Sequence, residues 1–397
     1  MGAVSAAGQG VSALWDAALA GSPHAGIREF EFGPETADLP VARLPVGALR
    51  LPEFTGAPRL DRAAQLALCA GGDAWHASGL HRHPPSSARV AVFVGTSRGP
   101  VRKWEEARDR QDSGKRQLPS LAATGTLASL SGALAHHLEA TGPCLTVSST
   151  CASAAGAIAL GAMHLASGAV DVAVVGGSEA PLSPLVVGLM RAANLLGSHP
   201  DDPGQTCRPF DSTRNGLIVG EGAGLMVLER AADASARRAH PFAKLSGYAT
   251  GLSHSGKTGV DEGGDGLAGV IQSSLAMAEI EPSDLGYINA HGTGTLLNDL
   301  AESKAIRLAL GDQTPPVSST KPITGHCLGA TPALEAILCV KAMAASRIPP
   351  TPNFRQPDPA IDLDIVAGDA RPAFLEHVVS TSLGFWGNHA SLVFSAI

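Results

Sequence analysis

Short apolar runs alternate with longer stretches of small residues nearly throughout the chain. Arg89-Val-Ala-Val-Phe-Val-Gly95 and Asp171-Val-Ala-Val-Val-Gly-Gly177 are apolar runs halted by glycine, the pattern of a strand buried on both faces. Gly224-Leu-Met-Val-Leu228 and Gly286-Tyr-Ile-Asn-Ala290 read the same way. Residues 152–167 (ASAAGAIALGAMHLAS) are apolar or small all round, which predicts a buried helix with Gly168 as its stop. A second such helix is predicted over 328–345. Strands alternating with helices predict an α/β protein. The best candidate junction is Arg230-Ala-Ala-Asp-Ala-Ser-Ala-Arg-Arg, dividing the chain into halves 1–230 and 231–397. The mixed-charge run at 103–117 reads as a solvated surface, with partner docking as the alternative.

Composition narrows the function classes. Of 397 residues, 44% are hydrophobic and 16% charged, so the chain can bury a large core. The low charge and the 46 glycines hint at an oligomer interface. A net charge of −7 argues against a nucleic-acid binder. No continuous apolar run is long enough to predict a membrane span. The N-terminus lacks the pattern of a signal peptide or a myristoylation site. The six cysteines are scattered without a CxxC pair, which predicts neither a disulfide framework nor a metal site, and a cytoplasmic setting.

Three motifs compete for the chemistry. Gly251-Leu-Ser-His-Ser-Gly-Lys257-Thr258 spells a phosphate-binding loop, but the glycine-rich, acidic continuation opposes the helix start that such a loop needs. Gly95-Thr-Ser97-Arg-Gly99 spells a nucleophile elbow after a strand, so an α/β serine hydrolase using Ser97 is the alternative function. The third is a constellation. Cys151 sits where the predicted strand 144–147 meets the buried helix. There the helix dipole should favour its thiolate. His291 leaves a strand into Gly-Thr-Gly-Thr295, and Lys321 and His326 share a loop that opens the helix at 328–345.

These three segments resemble the active-site signatures of β-ketoacyl-acyl carrier protein synthases. They match the cysteine elbow, the HGTxTxxND loop and the KxxxGH loop. Arg208-Pro-Phe-Asp211 through Gly220-Glu-Gly-Ala-Gly224 and Leu383-Gly-Phe385-Trp386-Gly387 resemble two further family segments, and the motifs run in family order along the whole chain. The resemblance is closest to the type II, Cys-His-His branch of the thiolase superfamily. It implies a thiolase-like fold: five layers, α-β-α-β-α, built from two similar halves. The implied reaction is decarboxylative Claisen condensation of an acyl group on Cys151 with malonyl-acyl carrier protein.

Residue roles follow from the same resemblance. His291 and His326 would stabilise the enolate, with His326 serving condensation more than acylation. Lys321 and Glu335 would order the site, and the backbone N–H groups of Cys151 and Phe385 would hold the oxyanion. Thr293 and Thr295 match positions that contact pantetheine, Phe385 matches the gate, and Arg98 and Trp386 match positions near the acyl group. No metal or resident cofactor is implied, since both acyl groups arrive on the phosphopantetheine of acyl carrier protein. The implied assembly is a homodimer, or a heterodimer with a chain-length-factor-like subunit.

The sequence departs from the family in several places. The strand that usually precedes the first helix is not visible, which would leave a sheet edge open. Trp386 replaces a glycine, His389 replaces the usual asparagine, and 251–264 lacks an Asp-Ala-His region. These departures point to specialised polyketide, polyene or fatty-acid synthesis.

Overall fold

Two β-sheets sandwich a pair of buried helices in a computed structural model that describes residues 1–254 and 260–397. The first sheet has six strands in the order Gly8–Gln9, Gly2–Ser5, Gly222–Glu229, Val172–Glu179, Val90–Gly95, Cys144–Val147. The second has five, in the order Lys244–Leu252, Asn388–Ser395, His377–Gly384, Leu285–Asn289, Val317–Ser318. Helices Ser153–Ala166 and Thr331–Ala345 touch both sheets and form the central layer. Arg62–Ser78 and Ser129–His137 cover the outer face of the first sheet, and Asp265–Ala278 covers that of the second with Leu296–Leu310 packed beside it. The predicted five-layered α-β-α-β-α order is therefore present.

Small residues make the central layer fit. A Cβ added at Gly224 would stand 2.8 Å from the backbone of Ala333, so the helix lies directly on the strand. The predicted strands and both all-apolar helices form within a few residues of their expected limits. The helix at 328–345 begins with a 3-10 turn, Leu328–Ala330.

Three expectations change. The strand thought to be missing is Gly2–Ser5 itself. It is wholly buried and pairs antiparallel with the strand Gly222–Glu229, Gly2 opposite Leu225. Four small residues, GAVS, are too few to show a period in the sequence. Among the described residues, one helix, Leu328–Ala345, does have the length and apolar composition of a membrane span, with a mean hydropathy of 1.4. It is 83% buried, so these apolar residues are packed against protein. Of the phosphate-loop match, Gly251 and Leu252 end a strand, and Gly256, Lys257 and Thr258 lie outside the described residues. The charged run begins as the helix Val101–Asp112, whose residues after Val101 are exposed or half-buried, as its solvated reading requires.

Candidate active site

Three loops at strand ends converge on one cavity. In the first, the chain leaves the strand Cys144–Val147 and turns sharply, with Thr150 at φ +52°. Ser153 braces this turn: its Oγ accepts from the Ser149 N–H at 2.9 Å and donates to the Thr150 carbonyl at 2.6 Å. Cys151 is thereby held just before the helix Ser153–Ala166.

In the second loop, His291 follows the strand Leu285–Asn289. The buried carboxylate of Glu302 accepts the His291 and Gly292 N–H groups, each at 2.7 Å, and the Thr381 hydroxyl at 2.7 Å. One helical turn earlier, Asp299 accepts the Phe210 N–H at 2.8 Å and the Gly294 N–H at 3.2 Å. Two buried acids on one helix thus hold the backbone from which His291 projects.

The third loop carries Lys321 and His326. The His326 N–H donates to the Ile218 carbonyl at 2.7 Å, and its Nδ1 lies 3.1 Å from Thr331 Oγ1. That leaves Nε2 facing Cys151 Sγ at 3.3 Å. The His291 and His326 rings meet edge to face, their centroids 5.2 Å apart. Lys321 is fully buried. Its Nζ donates to the His291 carbonyl and to Glu335 Oε1, the latter at 2.6 Å. Lys321 therefore ties the two histidine loops to the central helix Thr331–Ala345.

Burial sets the protonation of the site. Both histidines are held well below the usual imidazole value, first by desolvation and then by the Lys321 charge, so both are neutral. Burial raises Glu335 to about 7, against the pull of Lys321. The Cys151 thiol is pushed up to about 12 by burial, against the pull of Lys321, Arg98 and the Phe385 N–H. The expectation of a free thiolate is thus overturned: desolvation outweighs the helix terminus. The resting pair is thiol and neutral imidazole.

The Phe385 N–H points at Cys151 Sγ, and the Thr150 hydroxyl donates to the Phe385 carbonyl at 3.3 Å. A Cβ at Gly384 would stand 2.1 Å from Thr150 Oγ1, so only glycine allows the two loops to meet this closely. The cavity of about 350 Å³ is lined by Cys151, His291, His326, Thr293, Thr295 and Phe385. Its walls are completed by apolar side chains such as Met190, Leu217 and Leu328. Thr293 and Thr295 share a 2.9 Å hydroxyl contact there.

Arg98 and Trp386 do not line this cavity. Trp386 takes φ +63°, where glycine would be unstrained, and is 57% exposed. Ser97 is no nucleophile elbow. Its N–H donates to Glu179, as do the Thr96 hydroxyl and the Arg98 N–H, and among the described residues its hydroxyl meets no histidine. Asp299 is the last residue of the HGTxTxxND loop, but Glu179 and Glu302 escaped sequence reasoning because a lone buried acid has no local pattern. For Glu302, its spacing from Asp299 on one helix face was the available signal.

Residues 1–234 match the beta-ketoacyl synthase N-terminal domain and residues 242–355 its C-terminal domain. The chain belongs to the beta-ketoacyl synthase family. It is 34% identical to the tetracenomycin polyketide synthase ketoacyl synthase alpha subunit of Streptomyces glaucescens, over 97% of this chain and 93% of that protein. It is 35% identical to 3-oxoacyl-[acyl-carrier-protein] synthase 2 of Staphylococcus aureus, over 85% of each. The solved ishigamide ketosynthase/chain length factor superposes with a TM-score of 0.90 at 31% identity, covering 100% of this chain and 97% of that one. This beta-ketoacyl synthase is an acyltransferase that condenses acyl and malonyl groups in polyketide or fatty-acid synthesis. Nothing supports the serine hydrolase.

Proposed function

We propose that Cys151 is the nucleophile of a ketosynthase acting in specialised polyketide or polyene synthesis. The observation that carries this is the 3.3 Å contact of Cys151 Sγ with His326 Nε2, beside the His291 ring and over a single cavity. Cys151 Sγ attacks the carbonyl of an acyl-carrier thioester while its proton passes to His326 Nε2. The Sγ–carbon bond forms, the carrier's carbon–sulfur bond breaks, and the proton leaves with the carrier thiol. Malonyl-acyl carrier protein then enters and loses CO2. Its carbanion attacks the Cys151 thioester, releasing 3-oxoacyl-carrier and a Cys151 sulfur that regains a proton.

Neutral imidazoles suit the second half of the cycle. In the tautomer that carries its proton on Nε2, with Thr331 donating to Nδ1 of His326, each neutral imidazole offers an N–H to the extender's developing enolate oxygen. The acyl oxyanion sits between the N–H groups of Cys151 and Phe385. Lys321 and Glu335 position the histidine loops. Both acyl groups come on the phosphopantetheine of acyl carrier protein, with no resident cofactor. The relative named for its chain length factor supports a heterodimer; a homodimer is the other arrangement. The working place is the cytoplasm.

Intact mass after incubation with a panel of acyl-carrier proteins tests the assignment. The expected result is an acyl adduct that Cys151→Ala abolishes. An adduct that survives this substitution refutes Cys151 as nucleophile.

A further inference from the structure

The two site histidines differ in how their far ring nitrogen is held. Nδ1 of His291 is buried with no hydrogen-bond partner among the described residues, whereas Nδ1 of His326 lies 3.1 Å from Thr331 Oγ1. Thr331 opens the central helix Thr331–Ala345 and is 1% exposed. Among the described residues its hydroxyl has no other hydrogen-bond partner. A helical threonine often donates to the carbonyl four residues back, but here the Cys327 carbonyl takes the Ala330 N–H at 3.0 Å and no bond from Thr331.

That contact can be made in two ways. With the proton of the neutral ring on Nδ1, the ring donates to Thr331 Oγ1, and Nε2 is bare toward Cys151 Sγ at 3.3 Å. The buried Thr331 O–H is then left without an acceptor. With the proton on Nε2, Thr331 donates to Nδ1 and the ring N–H faces Sγ. The group left over is then the thiol S–H, a far weaker donor than a hydroxyl. A stranded hydroxyl costs more than a stranded thiol, so the second arrangement is the resting one.

The two half-reactions want opposite tautomers. Acylation needs Nε2 bare to take the thiol proton. Condensation needs Nε2–H to donate to the enolate oxygen. We infer that Thr331 is a positioning residue that holds His326 in the Nε2–H tautomer, which weights the site toward condensation and leaves acylation to draw on the minor tautomer. The inference rests on the ketosynthase reading, because that reaction is what gives the two tautomers their separate uses.

Two measurements test it. In the full-length protein, isotopically labelled at the histidine ring nitrogens, the NMR resonances that vanish in His326→Ala should show a proton on Nε2 and a bare Nδ1. A proton on Nδ1 overturns the inference. The second measurement is kinetic and read by intact mass: acylation of Cys151 by an acyl-carrier protein in a single turnover, then transfer of that acyl group to malonyl-acyl carrier protein. Thr331→Val, which replaces the hydroxyl by a methyl, should slow the transfer by about fivefold or more while acylation holds or quickens. Thr331→Ser, which keeps the hydroxyl, should behave like wild type. Equal slowing of both steps in Thr331→Val would mark a packing role and overturns the inference, as does no change in either step. If wild type forms no Cys151 adduct, the ketosynthase reading falls and the division of the half-reactions with it, while the NMR pattern still decides the tautomer.

Discussion

Two turns leave neighbouring strands of the first sheet, and the wrong one carries the better-known motif. Val90–Gly95 runs into Gly95-Thr-Ser-Arg-Gly99, the spelling of a serine elbow; Cys144–Val147 runs into the turn that holds Cys151. The difference lies in what faces each turn. Opposite the first stands a buried carboxylate, Glu179, which takes up the N–H groups of Ser97 and Arg98. Opposite the second stand a neutral imidazole at 3.3 Å, the Phe385 N–H and an open cavity. Backbone donors already bound to an internal acid cannot stabilise an oxyanion. The chemistry follows the neighbours a turn is given.

Substitutions can sharpen this contrast. His326→Ala should cost the second turn its proton acceptor, lowering both Cys151 acylation and condensation by about 10²–10⁴. His291→Ala, which removes a ring that among the described residues makes no hydrogen bond to Sγ, should spare acylation and depress condensation; single-turnover acylation against steady-state product formation separates the two. Equal loss of both steps in His291→Ala would contradict the division.

On the first turn the expected effect is stability. Glu179→Ala strands three donors of the 96–98 turn and the Gly329 N–H, which should cost about 2–4 kcal/mol in denaturant unfolding. Glu179→Gln should cost less.

The pH dependence has a definite sign. His291 and His326 have folded pKa values depressed below the ordinary 6.5. Their contribution to stability is therefore fully present above about pH 6.5 and is lost as pH falls below it, since the unfolded chain binds protons that the folded one refuses. Buried Glu335, raised to about 7, works in the opposite sense over the same range, so the histidine contribution is read as a difference: the slope of denaturant midpoint against pH from 5.5 to 7.5 should be less positive in His326→Ala than in wild type. The smallest effect belongs to Ser97→Ala: stability within about 0.5 kcal/mol and adduct formation within about twofold. Loss of the adduct there would revive the hydrolase.

The sequence made the layers and the reacting trio legible for different reasons. Buried strands and the two all-apolar helices announce themselves through uninterrupted runs. Cys151, His291 and His326 announce themselves through family signatures. Harder to read was whatever depends on distance across the fold. Glu179 and Gly329 are neighbours only after folding. The protonation of Cys151 depends on how deeply the turn is buried, which a local argument from the helix terminus could not supply. Gly2–Ser5 is a strand because Gly222–Glu229 offers it an edge. Arg98 and Trp386, expected near the acyl group, do not reach the cavity wall.

Glu179 also limits how this enzyme can open. Its carboxylate grips Thr96, Ser97 and Arg98 on one side and, on the other, Gly329 at the mouth of the His326 loop. Parting the two layers would leave these four donors without their shared acceptor. The rim at 384–387 is held differently: there the loops meet through the close approach of Gly384, the Thr150 hydroxyl and the Phe385 N–H.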